Sequence, residues 1–474
     1  MNRYKNMAIQ AKASMWYIIC NFLQKGISFI TVPIYIRLLT TGEYGEWSVF
    51  QAWRDILIIF ASLNLYCGVY TKALVDNEKD RDGYTSSMQG LGTVVSLCLL
   101  GIYCLNHNWI NRLMGLSTPY MLLLFAYFIV YPAFSFWTTR QRVEYRYKQM
   151  VAVTILISIL TPTISIILLR KTELRTNALI IGFLIVQCTL GFIFYVYHFY
   201  KGRYFINLQY WKYAIKYNIP LIPHYVSLIV LGQSDRIMIE YFCGESDAGI
   251  YSFAYQIAST ISVFISAING SRVPWTYEKL KEKSYDDLKR ITNALVLLMV
   301  SIVVILSCMT PDIIGIIGTD DYQDAVLVIP VVVLGVYYTF VYDLYASIEF
   351  YYGATIYVMI ASVIGAVLNL GLNALFIPQF GYIAAAYTTL VCYFVFFVMH
   401  YFFARKIAIK QGIKQAIYDN ARVFGLSGLV SIAVFSSILF FSHTVLRNVV
   451  VCVIVLIFLL RKDKIYRIFA SIRR

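Results

Sequence analysis

Several charged side chains stand inside stretches that are otherwise apolar enough to cross a bilayer. Lys25 lies near the middle of a run from 13 to 36, about a dozen residues from either end, too deep for its ammonium to reach water by stretching along its own helix. Asn21 and Ser28 lie at helical spacing from it and Gln24 is adjacent, giving one polar stripe on an apolar helix. Arg54 and Asp55 follow Gln51 in the next run, and Asp235 and Arg236 stand in QSDRIMIE with Glu240 one turn on. Charges within a membrane are costly, so they face a protein interior or a water-filled cavity. A guanidinium fork can bond two phosphate oxygens at once. Lys25, Arg54 and Arg236, on three separate runs, therefore read as binding residues for an anionic ligand, with purely structural ion pairing as the competing reading. Neighbours on a helix point about 100° apart, so Asp55 and Asp235 are expected to orient the adjacent arginines without fully satisfying them. Asp55, Asp235, Glu240 and Asp343 are the cavity or ion-coupling candidates, because a buried carboxylate can hold a proton or a sodium ion. For Asp343, amid the tyrosines of VYYTFVYDLY, a solvated position stays equally open; Glu349 reads as solvated near the membrane edge.

These residues need helices to hold them. Of the 474 residues 59% are hydrophobic and 14% charged, more apolar surface than a soluble domain could hide. Runs of about 20 apolar residues predict an all-α, polytopic membrane protein of about 14 spans, near 13–36, 47–71, 86–106, 119–139, 150–169, 177–199, 217–241, 248–271, 291–310, 325–349, 356–377, 381–404, 423–441 and 446–460. The net charge of +15 sits in the gaps between runs, which is a membrane-orientation pattern and not a nucleic-acid patch. With the N-terminus placed inside, only Arg37, Arg112, Arg170, Lys171, Arg175 and Arg447 of the 40 Lys and Arg fall in outer connections, so both termini are expected in the cytoplasm. The inner connections, Arg272–Arg290 among them, read as short amphipathic linkers. Pro33, Pro220, Pro223 and Pro330 read as helix breaks beside a cavity.

No connection is long enough to form a catalytic domain. The nine cysteines lack a C-x-x-C pair and the five histidines are scattered, so neither a metal site nor a disulfide framework is expected, nor any catalytic residue or cofactor. Tyr251 and Tyr255 could line a sugar path or simply pack. A weak repeat relates Gly45-Glu46-Trp47-Ser48 to Gly249-Ile250-Tyr251-Ser252, each after an acidic turn. An even number of helices separates the copies, as in a parallel repeat of two lobes. The expected division is an N-terminal six-helix lobe at 1–199, a linker at 200–216, a second six-helix lobe at 217–404, and a connector, two further helices and a basic tail at 405–474.

Three stretches, IYIRLLTTGEYGEWSVF, QSDRIMIEYFCGESDAGIYSFAYQIA and LNLGLNALFIPQFGYIAAAYTTLV, together with the length and helix count, resemble the polysaccharide-biosynthesis (O-antigen and capsule) flippase family of the multidrug/oligosaccharidyl-lipid/polysaccharide exporter superfamily. The resemblance implies 12 core helices plus two at the C-terminus around a cationic cavity. It also implies passage of an undecaprenyl-diphosphate-linked oligosaccharide across the bacterial cytoplasmic membrane, in contact with membrane lipids and with a polysaccharide polymerase and chain-length regulator as partners. Two rivals are a cation-coupled multidrug antiporter of the same superfamily, whose cationic cargo would favour an acidic cavity, and a membrane polysaccharide polymerase, which would need a larger outer loop.

Overall fold

The computed structural model describes residues 9–67 and 69–460; the expected basic tail and the terminal Arg3 and Lys5 lie outside the described residues. The described chain is helical: α1 (Ile9–Leu38), α2 (Thr41–Ser62), α3 (Val69–Asp76), α4 (Arg81–Met114), α5 (Thr118–Val143), α6 (Tyr147–Lys171), α7 (Thr176–Gly202), α8 (Leu208–Asn218), α9 (Ile222–Cys243), α10 (Glu245–Ala258), α11 (Ile261–Lys281), α12 (Tyr285–Cys308), α13 (Thr310–Ile317), α14 (Ile329–Tyr351), α15 (Thr355–Phe380), α16 (Ile383–Lys410), α17 (Asn420–Leu439) and α18 (Thr444–Leu460). Twelve helices or helix pairs are long and apolar enough to cross a membrane. Helices also occupy the other two expected spans. One of these, α18, has 17 residues, and the other, α2, carries Glu43, Glu46, Arg54 and Asp55 in 22 residues. The expected second span is also shorter than 47–71. The chain turns after Ser62 through Leu63 and Asn64, both at positive φ, with the Ser62 hydroxyl accepting the Asn64 amide at 3.1 Å.

Two compact units are present, one of residues 1–31 and 46–237, the other of residues 32–45 and 238–474. In the first, α4, α5 and α7 pack on one another and α6 lies against α7. An aromatic cluster joins α3, α4, α5 and α8, where Tyr70 meets Phe136 at 4.8 Å and Tyr84 meets Tyr210 at 5.1 Å. The second unit is built around α14, whose apolar window is 83% buried against 17% for α6. Apart from a few polar residues, Asp343 and Glu349 among them, α14 is apolar or aromatic around its circumference, and it contacts α10, α11, α12, α15, α16 and α17.

Pro220 and Pro223 stand at a helix break, a 3-10 turn at Ile219–Leu221 between α8 and α9, as expected. Pro33 instead is accommodated inside α1, and Pro330 occupies the first turn of α14, where a missing N–H costs nothing. The 272–290 stretch is helical over most of its length, since α11 continues to Lys281 and α12 begins at Tyr285. In the second unit the two copies of the repeat meet. Thr40 and Glu43 form a reciprocal cap on α2, at 2.8 and 3.2 Å, and the Thr41 hydroxyl bonds Ser246 at 2.7 Å. Gly45 faces the Glu245 carbonyl while Gly249 faces the Thr41 carbonyl, so each repeat glycine admits the backbone of the other copy.

At the C-terminal end, Arg447 of α18 is 4% exposed and its Nη1 donates to the Cys308 carbonyl at 2.8 Å and to Asp312 at 2.7 Å. A buried arginine with two such acceptors holds α18 on α12 and α13. Arg447→Ala is expected to destabilise that docking by about 2–3 kcal/mol and to speed limited proteolysis at 440–443; an unchanged cleavage rate would refute this role.

Candidate functional site

In the first unit, α2, the turn after it, α5, α7 and α9 enclose a cleft of about 480 Å³. Its polar lining is Arg54, Asp55, Asn64 and Gln187, and its walls include Tyr66, Tyr127, Tyr131 and Tyr225. Arg54 reaches Asp55 Oδ1 with both Nε (2.9 Å) and Nη2 (2.7 Å), and its guanidinium lies 4.7 Å above the Phe183 ring. Asp55 thus orients its helical neighbour through one carboxylate oxygen. Divergence at Cβ does not bind a side chain with four rotatable bonds, which here swings back onto the adjacent carboxylate. Asp55 Oδ2 accepts the Gln233 amide at 3.1 Å, and Gln233 Oε1 in turn accepts Arg236 Nη1 at 2.7 Å. Arg236 Nη1 also donates to the Gly232 carbonyl at 2.9 Å.

Three of the expected residues thus form one chain, Arg54–Asp55–Gln233–Arg236. Gln233 was in the quoted motif but had no role assigned. It is the neutral link that lets one acid orient two guanidiniums. Asp235 is buried on the same helix at 1% exposure, and Glu240 is half-buried in the second unit. Lys25 is exposed on α1 and is not among the cleft's lining residues; its stripe is held by Gln24 donating to Ser158 at 3.2 Å and by Ser28 to the Gln24 carbonyl at 3.1 Å.

The second unit holds a separate polar cluster. Arg272 of α11 is 1% exposed, and its Nη2 donates to Asp343 Oδ2 at 2.7 Å and to the Ser347 hydroxyl at 3.2 Å. Asn269 bridges the pair, donating to Asp343 at 2.8 Å and accepting Arg272 Nε at 2.9 Å. Asp343 keeps about a third of its side chain exposed, at 32%. One turn and a half along α14, Glu349 is fully buried against His400 Nδ1 at 2.7 Å, contrary to the expected solvated position. A ring from Tyr342 stacks on His400 at 5.3 Å. Tyr251 is fully buried, which makes it packing and not a path lining. Among the described residues no group of three or more His, Cys, Asp or Glu could hold a metal ion.

A family model described as polysaccharide biosynthesis protein matches residues 11–280, more than half of the chain and all of the Arg54–Arg236 constellation. The chain belongs to the polysaccharide biosynthesis protein family. Among curated relatives, an uncharacterized membrane protein of Haemophilus influenzae is 29% identical over 322 residues, covering 64% of this chain and 74% of its own length. Among solved structures, the lipid II flippase MurJ in an inward closed conformation superposes with a TM-score of 0.70 at 15% identity, covering 94% of this chain and 99% of that one. An inward-facing multidrug resistance MATE family transporter of the MOP superfamily gives 0.58 at 13% identity, over 86% of this chain and 99% of that one. At such identities the likeness is one of fold. The family member described here is thus a multi-pass membrane protein with the fold of those two proteins.

Proposed function

We propose that the chain is a flippase moving undecaprenyl-diphosphate-linked oligosaccharide repeat units across the bacterial cytoplasmic membrane, for O-antigen, capsule or exopolysaccharide synthesis. The reading is carried by the Arg54–Asp55–Gln233–Arg236 chain beside a tyrosine-lined cleft. A diphosphate needs fixed cations, while a glycan needs amides, carboxylates and hydroxyls for its own hydroxyls and aromatic faces for its C–H surfaces. The family match and the fold shared with a protein named a lipid II flippase support the same class of cargo. The two halves at 1–199 and 217–404, joined by 200–216, work by alternating access, with both termini in the cytoplasm. The polyprenyl tail stays among membrane lipids, and the product passes to a polysaccharide polymerase and chain-length regulator. The fold shared with multidrug carriers supports the antiporter alternative, but a site built on the guanidiniums of Arg54 and Arg236 suits an anion better than a cationic drug.

Changing Lys25, Arg54 and Arg236 together to Ala removes every cation assigned to the diphosphate. Each charge-assisted contact contributes roughly tenfold, so export is expected to fall at least a hundredfold (about tenfold per contact over two or more contacts). Lipid-linked repeat units then collect on the inner leaflet. Unaltered export at normal protein levels would refute the assignment, and a gained resistance to cationic drugs on expressing the parent chain would favour the antiporter.

A further inference from the structure

The second unit holds another cavity, of about 390 Å³, that plays no part in the reading above. It lies where α16 ends and α17 begins, closed by the connecting segment 411–419. That segment is built and not draped. Ile413 and Gly412 amides return to the Ala408 and Ile409 carbonyls at 2.9 and 3.0 Å, with Gly412 at φ 71°, a left-handed helix end that folds the chain back over the helix. Tyr418 then seals the back, buried and donating to the Leu344 carbonyl at 3.1 Å. Burial pushes its phenol up to about 12, so it stays a neutral group at any physiological pH. Tyr345 donates to Asn420 Oδ1 at 2.9 Å and fixes the first residue of α17 in the wall.

The charged groups in the lining are Arg405 and Lys414, both exposed, and no carboxylate lines the cavity. Asp419, next in the chain, is turned away to Asn293 at 3.1 Å and to the Arg422 amide at 3.2 Å. Lys406 is engaged over the Tyr357 ring at 5.5 Å. The remaining wall mixes Ile and Ala side chains with Tyr345, Tyr401 and Tyr418 and the amides of Gln415 and Asn420. Ile409 of the lining and Phe402, two turns before it on α16, are 67% and 56% exposed, which is unfavourable in water and ordinary in lipid. The charged end of a spanning helix lies at headgroup depth. We propose that this cavity is a binding site for the phosphate headgroup of an anionic phospholipid, held between Arg405 and Lys414, with its glycerol and upper acyl chains along Phe402 and Ile409. A basic pocket between helix ends at the membrane edge is suited to that ligand, and a free phosphate would leave the exposed Phe402 and Ile409 uncovered.

Native mass spectrometry of the full chain in detergent, incubated with phosphatidylglycerol, phosphatidylcholine or inorganic phosphate, tests the site. Phosphatidylglycerol is expected to be retained at least tenfold over phosphatidylcholine (about fivefold per cation). Arg405→Gln with Lys414→Gln is expected to weaken phosphatidylglycerol about thirtyfold, from the same fivefold per cation, and to leave phosphatidylcholine unchanged. Both side chains are exposed, so the melting temperature without lipid should stay that of the parent, and the single Arg405→Gln variant should fall about halfway on a logarithmic scale. Equal retention of both lipids overturns the proposal. An equal loss from Lys279→Gln with Lys281→Gln, which lie outside the cavity, reduces it to diffuse charge and also overturns it. Full displacement of phosphatidylglycerol by millimolar inorganic phosphate would instead make the site one for free phosphate.

Discussion

Gly45→Ala is expected to lower the melting temperature of the purified full chain by roughly 5 °C, although alanine is the better helix former. Helix propensity alone predicts a gain of about 1 kcal/mol for the change. The structure reverses the sign. A methyl on Gly45 would press into the Glu245 carbonyl and stand 3.0 Å from the Gly249 amide nitrogen. A methyl on Gly249 would press into the Thr41 carbonyl and stand 3.1 Å from the Gly45 nitrogen. Both obstacles are backbone, which cannot rotate away, so α2 and α10 must separate. Overpacking of this kind costs about 1–3 kcal/mol beyond the propensity gain, and a kilocalorie is worth about 2–4 °C in mid-sized domains. Separation would also break the Thr41–Ser246 bond at 2.7 Å. Gly249→Ala should act alike, and the double variant should fall short of the sum because both methyls force the same gap. Gly92→Ala and Gly101→Ala, with open space at each position, should hold or raise the melting temperature. A Gly45→Ala protein as stable as its parent would show that the helices do not cross there.

That contact illustrates what the sequence discloses. The repeat, with a glycine at the same place in each copy, was legible; that the two glycines admit each other's backbone is a matter of packing and was not. Arg54, Asp55 and Arg236 were legible because a charge in an apolar run has few places to go. Their connection was hidden, since Gln233 stands 178 residues from Asp55. Arg272 was missed for a specific reason. A hydropathy window closes at the first cation, so a buried arginine at the end of a run looks the same as an interfacial one. The only available hint was Asn269 one helical turn before it. Glu349 and His400 are 51 residues apart, and neither alone marks a buried pair. The breaks after Ser62 and Ala258 were lost because each turn carries only one or two polar residues, Asn64 and Ser259-Thr260, before the apolar run resumes.

Asp343→Asn is expected to cost about 3 kcal/mol of stability, the lower end of the range for stranding a buried charge, because Arg272 is 1% exposed and would lose its counter-ion. Arg272→Met should cost less, about 1 kcal/mol, since the abandoned Asp343 is 32% exposed and can turn to water. The Arg272→Met, Asp343→Leu double variant should return to within about 1 kcal/mol of the parent, because an apolar pair of similar volume removes both desolvation penalties. Thermal unfolding of the parent, Arg272→Met, Asp343→Leu and the double variant in one detergent gives the cycle, with Asp343→Asn measured beside it. If the fold can do without the pair, its presence in α11 and α14 needs another reason, and a carboxylate partly open to solvent, held by a buried guanidinium and an amide, is suited to exchange a proton or a cation during transport. The double variant is therefore expected to be stable and yet to lose export, with lipid-linked units accumulating as for the cleft variants. A stable double variant that exports at the parent rate would leave the pair as packing alone, and would return ion coupling to Asp55, Asp235 or Glu240.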